Sequence, residues 1–349
     1  VDLFQKMFGI QQRRVYTALQ SDLLGVRFSH PQFSSLAGKN FECISQLTND
    51  ELHGLIDHSI AIKTSWQKDP IGSRARQPLL GQSMSMIFQK RSTRTRVSTE
   101  TGIFMLGGHA LMLGPQDIQL GVNETMQDTA NVLARFNDII LARVFAHSDI
   151  EELAKFSSVP IINALSDKYH PLQTLADLMT LQEHFGKLEG KTLSWVGDGN
   201  NVLHDLMIGS IKMGMNVKVA TPEGYRPDPG VYAQAEELAK ENNVSLMVTA
   251  DPEEAARDSN VIVTDTWISM GMEEDAKQRK LDFTGYQVND DLMSLAHKDA
   301  VFLHCLPRKQ EEVSDSVFYS EKSLVFPEAE NRMWTVMAVT LEMLGQKFD

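Results

Sequence analysis

The sequence predicts an α/β protein made of two doubly wound parallel sheets, with a cleft between them. Three observations lead there. Short apolar runs alternate with helical stretches along most of the chain, the pattern of βαβ units. That alternation is interrupted by one long helical segment, Pro171 to Phe185, and closed by another, Glu328 to Leu344. Polar and charged residues collect where the apolar runs end, and doubly wound sheets bind ligands at the carboxyl ends of their strands.

Composition excludes several classes. A chain of 349 residues has room for two cores. With 33 Lys+Arg against 46 Asp+Glu the net charge is -13, which argues against nucleic acid as a main partner. No apolar run is long enough to span a bilayer. Two cysteines, far apart in sequence, give neither a disulfide framework nor a zinc-ligand pattern.

Residues 1–35 read differently from the rest. From Met7 they carry Arg13, Arg14 and Arg27, with Asp22 the lone acid before Glu42. That suits an organelle transit peptide, or equally a disordered N-terminus. Thr48-Asn49-Asp50-Glu51 is a capping box opening a helix whose Leu52, Leu55, Ile56 and Ile60 share a face. Strands follow at Ser83–Phe88, Ala110–Leu113, Ile139–Val144 and Val159–Ala164, with a helix capped at Ser148-Asp149-Ile150-Glu151. The Pro171–Phe185 helix has Pro in its first turn. A second series has strands at Thr192–Val196, Asn216–Ala220, Ser245–Thr249, Asn260–Asp265 and Ala300–Cys305. The boundary lies in or beside the Pro171–Phe185 helix, with one domain over 36–170. An interdomain helix over 171–186 leads to a second domain over 187–327.

The chain is organised around Lys90-Arg91-Ser92-Thr93-Arg94-Thr95-Arg96. A strand runs into it, and Ser92 or Thr93 can cap the helix beyond. Cations at a helix N-terminus are unfavourable for the helix alone and become favourable if a dianion such as phosphate sits there. In an acidic chain this cluster stands out from its background. Other strand exits hold Arg143, His170-Pro171-Leu172-Gln173, Gly197-Asp198-Gly199-Asn200-Asn201, Asp265 and His304-Cys305-Leu306-Pro307-Arg308. Singly, each has a bland explanation: His170 a helix cap, Asp265 a turn cap, Cys305 core. Together they converge on one edge. Arg143, ending so apolar a strand, needs an anion. His304, Pro307 and Arg308 are not typical core residues, which favours a site at Cys305. Gly197-Asp198-Gly199 invites a dinucleotide reading, but Val202 stands where the third glycine belongs.

These motifs, in this order, resemble the aspartate/ornithine carbamoyltransferase family, on its ornithine branch. The resemblance covers about Leu36 to the C-terminus, and it implies that two interdomain helices, Pro171–Phe185 and the C-terminal helix 328–345 that adds to the 36–170 domain, join the two domains. It rests on Ser92-Thr93-Arg94-Thr95-Arg96, Leu141-Ala142-Arg143, His170-Pro171-Leu172-Gln173, Asp265 with Ser269-Met270-Gly271, and His304-Cys305-Leu306-Pro307. It implies transfer of the carbamoyl group of carbamoyl phosphate to the side-chain amine of L-ornithine, giving citrulline and phosphate, without metal or organic cofactor. It implies that Ser92, Thr93, Arg94 and Thr95 bind the phosphate. Arg143, His170 and Gln173 would hold the carbamoyl end, completed by Arg332 and the carbonyls of Cys305 and Leu306. Asn201, Asp265, Ser269 and Met270 would bind ornithine, with Asp265 and Cys305 near the reacting amine. Cys305, Asp265, Arg143 and His170 are the expected catalytic set. Gln119 would reach a neighbouring subunit's site in a homotrimer, and Ser269–Phe283 would close over ornithine as a lid. A mitochondrial matrix location is implied, with the cytoplasm as alternative. Another amine substrate (putrescine or N-acetylornithine), an NAD-dependent dehydrogenase and a non-catalytic scaffold remain the competing readings.

Overall fold

The computed structural model describes residues 36–117, 124–268 and 275–348. In chain order its elements are α1 (Asn49–Lys68), α2 (Pro70–Arg76), β1 (Ser83–Phe88), α3 (Thr93–Met105), β2 (His109–Leu113), α4 (Met126–Leu133), β3 (Ile139–Arg143), α5 (His147–Phe156), β4 (Ile161–Leu165) and α6 (Pro171–Phe185). The second series is β5 (Thr192–Val196), α7 (Asn201–Lys212), β6 (Asn216–Ala220), α8 (Pro229–Glu241), β7 (Leu246–Thr249), α9 (Pro252–Ala256), β8 (Val261–Thr264), α10 (Ala276–Asp282), α11 (Asp290–Leu295), β9 (Val301–His304), α12 (Asp315–Phe318) and α13 (Val325–Met343). The strands form two all-parallel sheets, ordered β2-β1-β3-β4 and β7-β6-β5-β8-β9.

Both faces of each sheet are covered, as all-parallel sheets require. In the first sheet Met84, Met86 and Phe88 face a core shared with α1, α6 and α13, while Ile87 faces Ala130 of α4 and Ile150 and Leu153 of α5. In the second, Leu193, Trp195, Val217 and Val219 look toward α6, α7 and α8. Val196, Ile262 and Phe302 look toward α9 and α11. Helix α13 returns from the end of the chain to pack on α6, α3 and α1. The two expected interdomain helices therefore lie side by side in the core that the two sheets share.

Local chemistry explains most element ends. Thr48 and Glu51 form the reciprocal capping box of α1. Helix α5 differs from expectation. It starts at His147, and neither Ser148 nor any other local side chain caps it. Its His147 amide donates instead to Asp167 Oδ1 at 2.8 Å, from the loop after β4. β8 and β9 each end one residue before the expected limit, at Thr264 and His304, so that Asp265 and Cys305 leave the ladder.

Candidate active site

The carboxyl ends of β1, β3, β4, β8 and β9 meet α3 and α13 in one polar region. Ser92 caps α3, its Oγ accepting from the Thr95 amide at 3.2 Å and donating to Thr95 Oγ1 at 3.1 Å. Arg94 turns inward and its Nη2 donates to the carbonyl of Leu306, which the left-handed backbone of Leu306 (φ 58°) presents. A residue of the first sheet's half thus contacts a loop of the second. Thr93 is exposed. The expected crowd of cations is thinner than the sequence suggested. Arg96 lies two residues beyond Arg94, on another side of the helix, and pairs with Glu100 at 3.2 Å. Lys90 sits over the Phe145 ring, 4.7 Å from its centroid.

Arg143 lies opposite Phe88 in the β1–β3 register, and the ladder to β4 shifts between Ala142 and Arg143. Such an irregularity re-aims a side chain. Arg143 is 6% exposed and its Nε has no hydrogen-bond partner among the described residues. Burial, then the neighbouring Arg332 and Arg94 charges, lower it to about 10, with Cys305 opposing. Arg332 is also lowered to about 10, by burial and then by Arg94, and its Nε is likewise unpartnered. Two buried guanidiniums and Arg94 therefore press on one another, and nearby acids offset only part of that charge. That is the electrostatic signature of an anion site.

His170 starts α6 but gives it no side-chain cap. Its amide donates to Asp205 Oδ2 at 2.8 Å, while its buried Nδ1 has no partner among the described residues. Burial, then Arg332, Arg143 and Arg94, push the ring well below the usual histidine range. Between that depressed value and about 6.5 the unfolded chain takes up a proton that the folded ring refuses, so this group withdraws stability as pH falls through 6.5. The ring should remain neutral at pH 6 in 15N NMR spectra of the free protein. A charge change centred near 6.5 would contradict this. Gln173 is buried, with its Oε1 accepting from Arg332 Nη1 at 2.6 Å.

On the second sheet, Cys305 Sγ donates to Asp265 Oδ1 at 2.9 Å, and Asp265 Oδ2 accepts from Asn200 Nδ2 at 2.8 Å. Burial and then Asp265 push the Cys305 thiol well above its ordinary range, so it stays a neutral donor. Asn200 also caps α7 through its Oδ1. Its bond to Asp265 joins two strand exits far apart in sequence and has no local signature. Asn201 Nδ2 donates to the Ser166 carbonyl at 2.5 Å, a second bond between the two halves. Ser269, Met270 and Gln119 lie outside the described residues.

The structure bears on three further expectations. His304 is fully buried and serves the loop. Its Nδ1 accepts from the Leu306 amide at 2.9 Å, leaving the proton on Nε2, which faces Glu312 Oε2 at 3.3 Å. Arg308 pairs with Asp315 and with the Val313 carbonyl. These neighbours of Cys305 are therefore structural. Second, the segment expected as a lid over ornithine holds α10 in its described part, whose Arg279 pairs with Asp198, donates to the Trp267 carbonyl and lies 4.6 Å from the Tyr225 ring centroid. Third, the Gly197 turn is filled by the chain itself. A Cβ on Gly199 would lie 2.4 Å from the carbonyl carbon of Arg226, so that glycine serves close packing and leaves no approach for a pyrophosphate. Asp265, His304 and Cys305 bring ligand-type atoms within 4.8 Å of one another, but both His304 nitrogens are already engaged.

The model of the carbamoyl-P binding domain of aspartate/ornithine carbamoyltransferases matches residues 39–183, and that of the Asp/Orn binding domain matches residues 189–343. The chain belongs to the aspartate/ornithine carbamoyltransferase family. Among carbamoyltransferases of this family, it is 50% identical over 316 residues to a mitochondrial ornithine carbamoyltransferase of Aquarana catesbeiana, covering 89% of this chain and 88% of that protein. It is 48% identical over 312 residues to an ornithine carbamoyltransferase of Thermococcus kodakarensis, covering 89% and 98%. The solved ornithine carbamoyltransferase of Pyrococcus furiosus superposes with a TM-score of 0.85 at 47% identity, covering 89% of this chain and 98% of that one.

Proposed function

We propose that the chain transfers the carbamoyl group of carbamoyl phosphate to the side-chain amine of L-ornithine, releasing L-citrulline and phosphate. The carrying observation is the meeting of Arg94, Arg143 and Arg332 with the Cys305–Asp265 pair. An anion site and a carboxylate suited to an amine face the same region. The ornithine carbamoyltransferases it matches support the choice of amine.

The chemistry follows from charge. The amine attacks the carbamoyl carbon, negative charge builds on the carbonyl oxygen, and phosphate departs with the bond electrons. The capped N-terminus of α3, with Ser92, Thr93, Arg94 and Thr95, receives the phosphate. Arg143 and neutral His170 stabilise the developing oxyanion, while Gln173, Arg332 and the carbonyls of Cys305 and Leu306 hold the carbamoyl end. Asp265, with Cys305 as its donor, positions the ornithine amine, whose resting pKa near 10 requires a proton to leave before attack. Asn201, Ser269 and Met270 hold the rest of ornithine. The domain holding 36–170 and 328–345 serves carbamoyl phosphate and 187–327 serves ornithine. Citrulline formation from ornithine, with putrescine and aspartate in parallel, tests the reading. Faster turnover of putrescine would replace it.

The working form is a homotrimer, with Gln119 reaching a neighbour's site. In support, Phe104 of α3, Leu111 of the edge strand β2 and Phe136 after α4 are 75%, 49% and 73% exposed. Sedimentation equilibrium should give three times the chain mass, and a monomer would remove the proposal. Residues 1–35 direct the chain to the mitochondrial matrix, supported by Arg13, Arg14 and Arg27 and by relatives named as mitochondrial. A reporter fused to these residues that stays in the cytosol would refute it.

A further inference from the structure

Behind the candidate site lies a continuous run of buried bonds. Gln173 Nε2 donates to Asp177 Oδ1 and to Glu328 Oε1, both at 2.7 Å. Its Oε1 accepts from Arg332 Nη1, and Arg332 Nη2 continues to Thr95 Oγ1 at 3.1 Å. At the other end, Glu328 Oε2 accepts from the His304 amide at 3.0 Å. Thr95, Gln173, Asp177, Glu328 and Arg332 are all buried. The run starts in the first turn of α3, crosses α13 and α6, and ends on β9. It ties the anion-facing helix of the first sheet to the strand of the second that leads to Cys305.

Neighbours decide which way an amide points. Gln173 has two acids on one side and a guanidinium on the other. Its NH2 must face the acids and its oxygen Arg332, because the reverse would set donor against donor and acceptor against acceptor. Two carboxyls accepting from one nitrogen also lie close to each other. Burial raises both. For Glu328, pushed well above the usual range, the Asp177 charge is the second cause. One proton between them leaves a single negative charge beside Arg332, which costs less than two buried like charges.

We propose that Asp177 and Glu328 are positioning residues of the carbamoyl transfer: they act through Gln173 and fix its amide oxygen as the acceptor for the carbamoyl NH2. The inference rests on the carbamoyltransferase reading. The oxygen of Gln173 has a second lone pair beyond its Arg332 bond, and an N–H of the carbamoyl group is the donor that suits it. Neither acid needs to touch substrate. Each keeps the amide from turning over, and Glu328 also keeps the end of β9 at a fixed distance from it.

The test is a kinetic double-mutant cycle on the full chain, with unfolding midpoints measured alongside. Asp177→Asn should lower kcat/KM for carbamoyl phosphate by about 10- to 100-fold, with KM for ornithine changed less than about twofold. In a Gln173→Ala background the same substitution should cost less than about threefold, because the group it acts through is gone. Glu328→Gln, which keeps one acceptor oxygen and an NH2 that can donate to Asp177 as a protonated carboxyl does, should retain activity within about tenfold, while Glu328→Leu, which keeps neither, should not. Equal losses in both backgrounds would overturn the proposal. So would variants that lower only the unfolding midpoint and leave the kinetic constants per folded enzyme unchanged. If Gln173→Ala does not fold, the single variants decide, and an ornithine KM raised as much as that for carbamoyl phosphate overturns it. Absence of citrulline with the unmodified chain would instead sink the functional reading, before any variant is compared.

Discussion

Arg143→Met should lower kcat by about a hundredfold or more, and the folded protein should lose little stability. The first half follows from placement. A guanidinium at the end of β3, within the field of Arg94 and Arg332, stabilises charge that develops on the carbamoyl oxygen, and removing one such donor costs at least that much. The second half follows because Arg143 has no ion-pair partner among the described residues and its Nε no hydrogen-bond partner there. Removing one partner of a buried ion pair strands the other and costs about 3–5 kcal/mol. Arg143 is lowered to about 10 by burial and by like charges, so deleting it relieves repulsion, while methionine preserves most of the volume. Phosphate should raise the unfolding midpoint of the unmodified chain more than that of the variant, because at a given concentration a ligand stabilises the folded state more the more tightly it binds. Activity within tenfold of the unmodified chain would show that Arg143 does not serve the reaction. A large loss of stability would show that it has a structural partner instead.

The same contrast between isolated and paired groups explains how far the site was legible in sequence. The strand exits could be read because Arg94, Arg143, His170, Asp265 and Cys305 interrupt apolar runs at predictable ends. β1 and α6 have the expected limits because Ser83–Phe88 alternates cleanly and Pro171 fixes the start of its helix. What failed was long-range. Asp167 caps α5 from twenty residues away through the His147 amide, a contact no local pattern reveals. Arg96 could have been assigned to solvent from geometry alone, since residues two apart on a helix do not share a face. Asp177 and Glu328 read as ordinary acids of two separate helices until α6 and α13 bring them onto one amide. Asn200 stood among the strand-exit residues, but its bond to Asp265 crosses from one strand exit to another and no local pattern reveals it. Helix α13 begins at Val325, before the expected Glu328, with Pro327 in its first turn, where proline is compatible with helix.

Asp265→Asn should separate the two halves of the reaction. The carboxylate accepts from Cys305 Sγ at 2.9 Å and from Asn200 Nδ2 at 2.8 Å, and these donors fix the plane in which it meets an amine. Asparagine would set an NH2 against one of the two donors and would remove the charge that favours an amine beside it. We expect kcat/KM for ornithine to fall by about a hundred- to a thousandfold, since both the electrostatic and the orientation contributions are lost. The KM for carbamoyl phosphate should move less than about threefold, because Arg94, Arg143 and Arg332 are untouched. Cys305→Ser keeps a donor to Asp265 and should cost about tenfold or less, whereas Cys305→Ala, which leaves Asp265 Oδ1 without that bond, should cost more. The order of these losses follows from the thiol's protonation. Burial and Asp265 hold Cys305 as a neutral S–H, so it works as a hydrogen-bond donor and a hydroxyl can stand in for it. If the serine variant were as inactive as the alanine variant, sulfur itself would be required and the donor role would be wrong. If Asp265→Asn weakened carbamoyl phosphate and ornithine alike, the carboxylate would be holding the site together rather than receiving the amine.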